Sequence, residues 1–502
     1  MSRNPQHEFT PPPLWLIAVA GAALLSFVIL GLMPAVRFNV PYSPVLYAQD
    51  GRLLSARLAA DEQWRFPPSA GYGPASRPGS PVQSPRFRDA LVSFEDRAFL
   101  LHPGVDPLAL ARAVLQNIGG GRVVSGASTL SMQVIRLDRA GRPRSFFEKA
   151  VEAAGAMRLE WQRSKADIVA DFAAHAPFGG NIVGIEAAGQ RYFGRAPREL
   201  SWAEAALLAV LPNDPAQLRL DASARGQRDA LTAKRDRVLV DLQTAGRISG
   251  PAAELATAEA LPTDMRPMPT NATHALDTLT AQLRAGERSG AHAQGLPLFH
   301  SSLQTDLQLA AEDTVADYGR RLYQRNIGNV AALIIENQTG QVLAYVGNRR
   351  AVPGAPVPSA FVDIARAPRS TGSLLKPMLY AAMVHSGEVL PNQLVADIPT
   401  RIGAFIPENH TEEYLGAVPA AHVIAQSLNV PTARMLQRYG VNRFYALLQD
   451  MGMDGLTRRA DDYGIALILG GAESSLWDMA GMYASMARAA TAASTEPVRF
   501  SD

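Results

Sequence analysis

Residues 94–133 read FEDRAFLLHPGVDPLALARAVLQNIGGGRVVSGASTLSMQ. Two carboxylates, Glu95 and Asp96, stand just ahead of an aromatic, a histidine and a glycine turn at Phe99, His102, Gly104 and Asp106. An apolar stretch from Leu108 to Ile118 has the composition of a short helix. Three glycines then open a loop, and the hydroxyl pair Ser128-Thr129 precedes Gln133. An acid, a loop and a set of polar donors suit a site that handles sugars and phosphates.

Outward from this stretch, length and composition set the bounds. A chain of 502 residues predicts two large domains. A net charge of +2 carries no nucleic-acid footprint. There is no cysteine, which excludes disulfides and cysteine-based zinc sites. Basic residues are nearly all arginine, with lysine only at Lys149, Lys165, Lys234 and Lys376.

Towards the N-terminus, Leu14–Met33 is uncharged and almost wholly apolar. Its span of about 30 Å matches the hydrocarbon thickness of a bilayer. It exceeds the ~7–15 residues of a signal-peptide core, so a single-pass anchor is expected, preceded by a short tail, 1–13. Residues 34–85 are expected to form a spacer. Within it, Val45-Leu46-Tyr47 and Leu53-Leu54 flank Asp50-Gly51, a two-residue hairpin signal.

Residues 86–260 have helical periodicity and read as a mainly-α domain. Ser145 is an N-cap candidate for a helix reaching Arg163, with Glu148 and Glu152 one turn apart on one face. Ser201 and Glu204 form a capping-box pattern before the apolar run Ala205–Leu211. His102 reads as a structural hydrogen-bonder, and Trp161 and Trp202 as core. Residues 261–295 read as a linker with one helix, Ala275–Gly286. A second domain of mixed α and β runs over 296–502, with apolar strands Val330–Ile335 and Val342–Val346 around Thr339-Gly340.

The pattern E-D-x-x-F-x-x-H-x-G-x-D followed by G-x-S-T-x-x-x-Q resembles the peptidoglycan glycosyltransferases, and within them the class A penicillin-binding proteins of the 1C type. The resemblance runs from about Arg86 to Leu218. It takes in Arg144-Ser145-x-x-x-Lys149-x-x-Glu152, Ala176-Pro177-Phe178-Gly179-Gly180-Asn181, Gly189–Gly194 and Leu200–Pro215. It implies a lysozyme-like glycosyltransferase fold and glycan polymerisation from lipid II. The growing strand on undecaprenyl pyrophosphate is the donor, and the 4-hydroxyl of a lipid II sugar the acceptor.

The residues suit that chemistry. A sugar hydroxyl needs a base, and Glu95 is the candidate. A departing pyrophosphate needs cations or oriented donors, which Ser128, Thr129, Gln133, Arg136 and Lys149 can supply, and Asp96 is assigned with them to the substrate site. Glu152 is the second acid, placed to order Lys149 or to take a divalent cation such as Mg or Mn. Two departures from the family stand out. Its tyrosine-leucine-asparagine run reads Phe172-Ala173-Ala174-His175 here, and Glu148 sits where relatives often carry a base.

In the second domain, Ser373-Leu374-Leu375-Lys376 resembles the S-x-x-K acylation motif of penicillin-binding transpeptidases. Three residues apart on a helix, Ser373 as nucleophile and Lys376 as base would share a face. Ser427-Leu428-Asn429 matches the S-x-N motif. No lysine follows Lys376, so the K-T-G motif is missing and the domain is expected to be C-terminally incomplete, with β-lactam binding at Ser373 not expected to last.

The expected protein is thus multidomain. It has an N-terminal transmembrane helix, a mainly-α glycosyltransferase domain and an α+β transpeptidase-like domain. It would sit in a bacterial inner membrane with its N-terminus cytoplasmic and its catalytic domains periplasmic, acting on lipid II, the glycan strand and membrane lipid. The alternatives are a non-catalytic wall-binding scaffold, suggested by the departures above, and a muramidase-like lytic enzyme, which also needs an acidic residue.

Overall fold

A computed structural model describes residues 31, 34–68, 84–109, 128–139, 142–143, 145–213, 225–288 and 296–491. The chain divides into two compact units, one of residues 1–45, 57–268 and 294–298, the other of residues 46–56, 269–293 and 299–502. Among the described residues no helix is long and apolar enough to cross a membrane. The expected span Leu14–Met33 lies outside them, Gly31 excepted, as does nearly all of the helix expected over Leu108–Ile118.

The first unit is helical. Its described helices are α1 (Pro85–Glu95), α2 (Leu130–Asp138), α3 (Phe146–Gln162), α4 (Lys165–His175), α5 (Ile185–Phe193), α6 (Trp202–Val210), α7 (Arg225–Thr244) and α8 (Gly250–Ala258). Helix α6 is apolar apart from Glu204 in its first turn, and every residue from Ala203 to Val210 is buried, the mark of a central helix. It begins as expected, with Ser201 and Glu204 capping one another. Helix α1 packs on α6 and α7, while α2 packs on α3 and α4. A small sheet joins β3 (Trp64–Arg65), β4 (Pro177–Gly179) and β5 (Ile182–Val183) in the order β3-β5-β4. Gly179, Gly180 and Gly184 all have positive φ there, which is why the glycine-rich block turns so tightly. Trp161, expected in the core, is 61% exposed on α3.

The hairpin of β1 (Val45–Tyr47) and β2 (Leu53–Ala56) is present, but its turn is longer than two residues. Ala48 N–H donates to Arg52 O and Gly51 N–H to Ala48 O, with Gly51 at φ 80°. This is a three-residue connection with glycine in the left-handed position. Nor is the hairpin a spacer. Leu46, Ala48 and Leu54 are in one core with Ala275 and Leu276 of α9 (Thr273–Arg288) and with Leu303, Val342 and Tyr345. The stretch read as a linker therefore supplies a core helix of the second unit.

That unit also contains β6 (Leu298–His300), which extends the hairpin in the order β2-β1-β6. Strands β7 (Ala332–Ile335) and β8 (Val342–Val346) pair antiparallel, Leu333 opposite Tyr345. Helix α10 (Thr305–Tyr323) lays Ala311 and Val315 on Ala344 and Val346 of β8. Strand β9 (Arg369–Ser370) leads into α11 (Lys376–His385). Strands β10 (Leu394–Asp397) and β11 (Gly416–Pro419) follow, then α12 (Ala420–Ala425), α13 (Asn429–Tyr439) and α14 (Val441–Asp450). Short α15 (Ala460–Tyr463) and β12 (Glu473–Ser474) precede α16 (Leu476–Ala490). Strand β12 pairs antiparallel with β9. Leu375, Leu379, Leu436, Phe444 and Leu448 centre the larger core.

Candidate active sites

Glu95 ends α1, where the helix delivers its carboxyl to α2. Gln133 Nε2 donates to Glu95 Oε2 at 2.6 Å. The other oxygen, Oε1, is buried and takes no hydrogen bond of ordinary geometry among the described residues. Burial raises the Glu95 pKa, and Asp96 adds to this, while bonding to Gln133 and Asn213 and the charge of Arg136 hold it down. A carboxyl whose pKa is raised by burial and whose position is set by neighbouring amides is suited to take a proton.

Three residues after Gln133 on α2, Arg136 grips Glu152 of α3 through two bonds, Nε to Oε1 at 2.9 Å and Nη2 to Oε2 at 2.8 Å. The Glu152 side chain is 10% exposed and that of Arg136 40%. Arg136 Nη2 also reaches Ser128 Oγ at 3.4 Å. Helix α2 is therefore the bridge of the site, presenting Gln133 to Glu95 and Arg136 to Glu152 from one face.

Two residues expected to meet substrate, Asp96 and Thr129, are held by the fold instead. Asp96 is buried, its carboxylate bonded to His102 Nε2 at 3.0 Å and to the backbone N–H of Leu130 at 3.0 Å. It ties the His102 loop to the first turn of α2. Thr129 caps α2, accepting from Met132 N–H at 3.3 Å and donating to Gly104 O at 2.5 Å. Lys149 is exposed on α3, and Arg136 takes the place beside Glu152 expected for it. Glu148 is gripped by Arg139, with bonds of 3.0–3.1 Å. His102 is the structural hydrogen-bonder expected, between Asp96 and the Gly104 N–H at 3.1 Å.

Among the described residues no group of three or more metal-ligating side chains is present. With the guanidinium of Arg136 occupying Glu152, this donor set does not suit a protein-held divalent cation.

His175 closes the run Phe172–His175 at the end of α4. It is buried, with Nε2 at 2.9 Å from Tyr42 Oη and Nδ1 at 2.9 Å from Asp171 O, and it stacks on Phe38. Burial lowers its pKa to about 4, so it is a neutral packing residue. Asn213, in the block that ends α6, is a neighbour of Glu95 that sequence reading passed over. Its only signal was its place in that block.

In the second unit, Lys376 opens α11 and is 1% exposed. Its Nζ donates to Ser427 O at 2.7 Å, Ser427 Oγ at 3.2 Å and Asn429 Oδ1 at 2.7 Å. Burial lowers its pKa to about 8. Ser427 has φ 56°, a strained conformation of the kind stored at functional sites. Ser373 lies in the turn ahead of α11 rather than within the helix. It is exposed, and its backbone O accepts from Lys376 N–H at 3.2 Å. Two motifs distant in sequence thus meet, Lys376 with Ser427 and Asn429.

The transglycosylase family model matches residues 80–243, and the penicillin binding protein transpeptidase domain matches residues 330–488. Penicillin-binding protein 1C of Escherichia coli (strain K12) is 32% identical over 477 residues, covering 94% of this chain and 58% of that protein. Penicillin-binding protein 1B of Haemophilus influenzae is 28% identical over 417 residues, covering 80% of this chain and 52% of that protein. The chain therefore spans between half and three-fifths of the length of these curated relatives. Among solved structures, penicillin-binding protein 1A from Haemophilus influenzae aligns with a TM-score of 0.41 at 18% identity, over 89% of this chain and 68% of that one.

Proposed function

This chain belongs to the class A penicillin-binding proteins, and we propose that its first unit polymerises peptidoglycan glycan strands from lipid II at a bacterial inner membrane. The observation that carries this is the Glu95 carboxyl, desolvated at the end of α1 and oriented by Gln133 of α2. Glu95 takes the proton from the 4-hydroxyl of the acceptor sugar as that oxygen attacks C1 of the donor. The bond from C1 to the pyrophosphate breaks with inversion, and the undecaprenyl pyrophosphate carries the electron pair away. Arg136 faces the developing charge, fixed in direction by its two bonds to Glu152. Exposed Lys149 is free to swing onto the pyrophosphate as a mobile point charge.

Incubation with lipid II, read on a gel, tests this. The wild-type chain should build polymer, and Glu95→Gln should lower the rate by about 10²–10⁴-fold. Polymerisation by Glu95→Gln at the wild-type rate would remove Glu95 from the role. Release of fragments from intact wall would favour a lytic enzyme, and no change in either substrate a scaffold.

In the second unit, Ser373, Lys376, Ser427 and Asn429 are the parts of a serine acyl-transfer site. Lys376, held near pH 8 by burial, suits a general base. Because no K-T-G motif follows Lys376 in this sequence, the chain is expected to form no lasting adduct with a fluorescent penicillin. A labelled band that vanishes in Ser373→Ala would reverse that expectation.

A further inference from the structure

The environment of Lys376 depends on a residue outside both acyl-transfer motifs. Asn409 lies in the loop between β10 and β11 and is 3% exposed. Its Oδ1 accepts from the backbone N–H of Asn429 at 3.0 Å and of Val430 at 3.1 Å. These are the first two residues of α13, whose N–H groups have no partner within the helix. Helix α13 has no cap of its own, because its N-cap residue is Leu428. The cap comes from a separate loop, twenty residues upstream.

The other end of the amide is held as firmly. Asn409 Nδ2 donates to Asp397 Oδ1 at 2.8 Å and to Glu413 O at 2.9 Å. Asp397 is itself fully buried, and its Oδ2 accepts from Leu415 N–H at 3.0 Å. Two donors face one end of the amide and two acceptors the other, so only one orientation satisfies all four. The preceding residue acts on the same target. Glu408 O accepts from Asn429 Nδ2 at 2.9 Å, which turns Asn429 Oδ1 towards Lys376 Nζ at 2.7 Å. Residues 408 and 409 thus fix the backbone and the side chain of Asn429 together.

We infer that Asn409 is a positioning residue of the Ser373–Lys376 site, capping α13 from outside and so holding Asn429 against the Lys376 amine. This rests on the reading of those residues as an acyl-transfer site. Its test does not require acylation, so a chain that fails to label with penicillin leaves the inference open to its own measurement.

The chain has four lysines, so lysine labelled with ¹³C at Cε gives a spectrum simple enough to titrate residue by residue, with Lys376→Arg supplying the assignment. In the wild type, Lys376 should titrate near pH 8. Asn409→Ala leaves two helix N–H groups without an acceptor, loosens Asn429 and admits water beside Nζ. The Lys376 midpoint should climb by at least one pH unit towards the ordinary value of about 10.4. Asn409→Asp sets an oxygen against Asp397 and Glu413 O and should raise it as well. Joining Asn409→Asp to Asp397→Asn restores a donor opposite an acceptor on that edge, and should bring the midpoint back to within about half a unit of wild type.

A control, Arg443→Ala, breaks the surface pair with Glu388 and should leave Lys376 unmoved. A folded Asn409→Ala chain with an unchanged Lys376 midpoint overturns the inference. Should Asn409→Ala fail to fold, the exchange pair decides: a midpoint that stays displaced in it is equally fatal.

Discussion

Glu95 owes its chemistry to neighbours that pull in opposite directions. Burial raises its pKa, while the amide of Gln133 bonds the ionised form and lowers it. Removing that bond in Gln133→Ala should raise the pKa further, so the acid limb of the polymerisation rate should move to higher pH. A limb that stays put, or moves to lower pH, would show that Gln133 does not tune the base. His175 makes a second residue-scale prediction. Its native pKa of about 4 lies below the ordinary value of about 6.5. Between those values the unfolded chain binds a proton that the native chain refuses. The His175 contribution is therefore whole above about 6.5 and is lost as pH falls towards 4, each unit of depression being worth about 1.4 kcal/mol. Asp171, raised to about 6 by burial, runs the other way: its contribution is present below about 3.8 and gone once pH passes about 6. In His175→Gln the melting temperature should fall less between pH 7 and pH 5 than in the wild type. Identical slopes, followed by circular dichroism, would mean that His175 does not set the acid limit.

At the scale of elements, the loop after α1 and the start of α2 form one fastening. Gly104 has φ 99°, and a Cβ there would lie 2.6 Å from the backbone of Ala156 in α3. Its carbonyl takes the Thr129 hydroxyl, and its N–H takes His102. Gly104→Ala should therefore push the loop off α3, and with it Asp96 and the first turn of α2. The strain belongs to the range of about 1–3 kcal/mol for a residue in a disfavoured conformation. Thermal melting and lipid II polymerisation should both show the loss; a variant with wild-type activity and stability would contradict the close approach. Thr129→Ala removes only the cap and its bond to Gly104, for which about 1–2 kcal/mol is expected.

At the scale of the molecule, the second unit is discontinuous in sequence. Its core draws on Leu46 and Leu54 near the start of the chain, and on Ala275 and Leu276 of α9. A fragment of residues 296–491 should accordingly be poorly soluble and easily digested, because the partners of Leu303, Val342 and Tyr345 are gone. A fragment that also carries residues 46–56 and 269–288 should resist trypsin longer. Equal digestion rates would show that the hairpin adds nothing to that core.

The motifs that contain Glu95, Gln133, Lys376 and Asn429 were legible in sequence because each is a short run of residues, but which motif meets which was not. Caps such as Ser145 and Ser201, the apolar run of α6 and the strand pair around Gly340 were legible for the same reason: each depends on residues a turn or a hairpin apart. What each polar residue does once folded was decided only by packing. Asp96 and Thr129 carry groups fit for a substrate, yet burial without a partner is costly, and they bond the fold's own N–H and C=O groups instead. Arg136 rather than Lys149 meets Glu152, because α2 crosses α3 on that side. The hairpin at residues 45–56 has a local pattern that names its strands and nothing that names its neighbours. Its apolar face closes a core formed by residues some two hundred positions away, which only the tertiary structure brings to it.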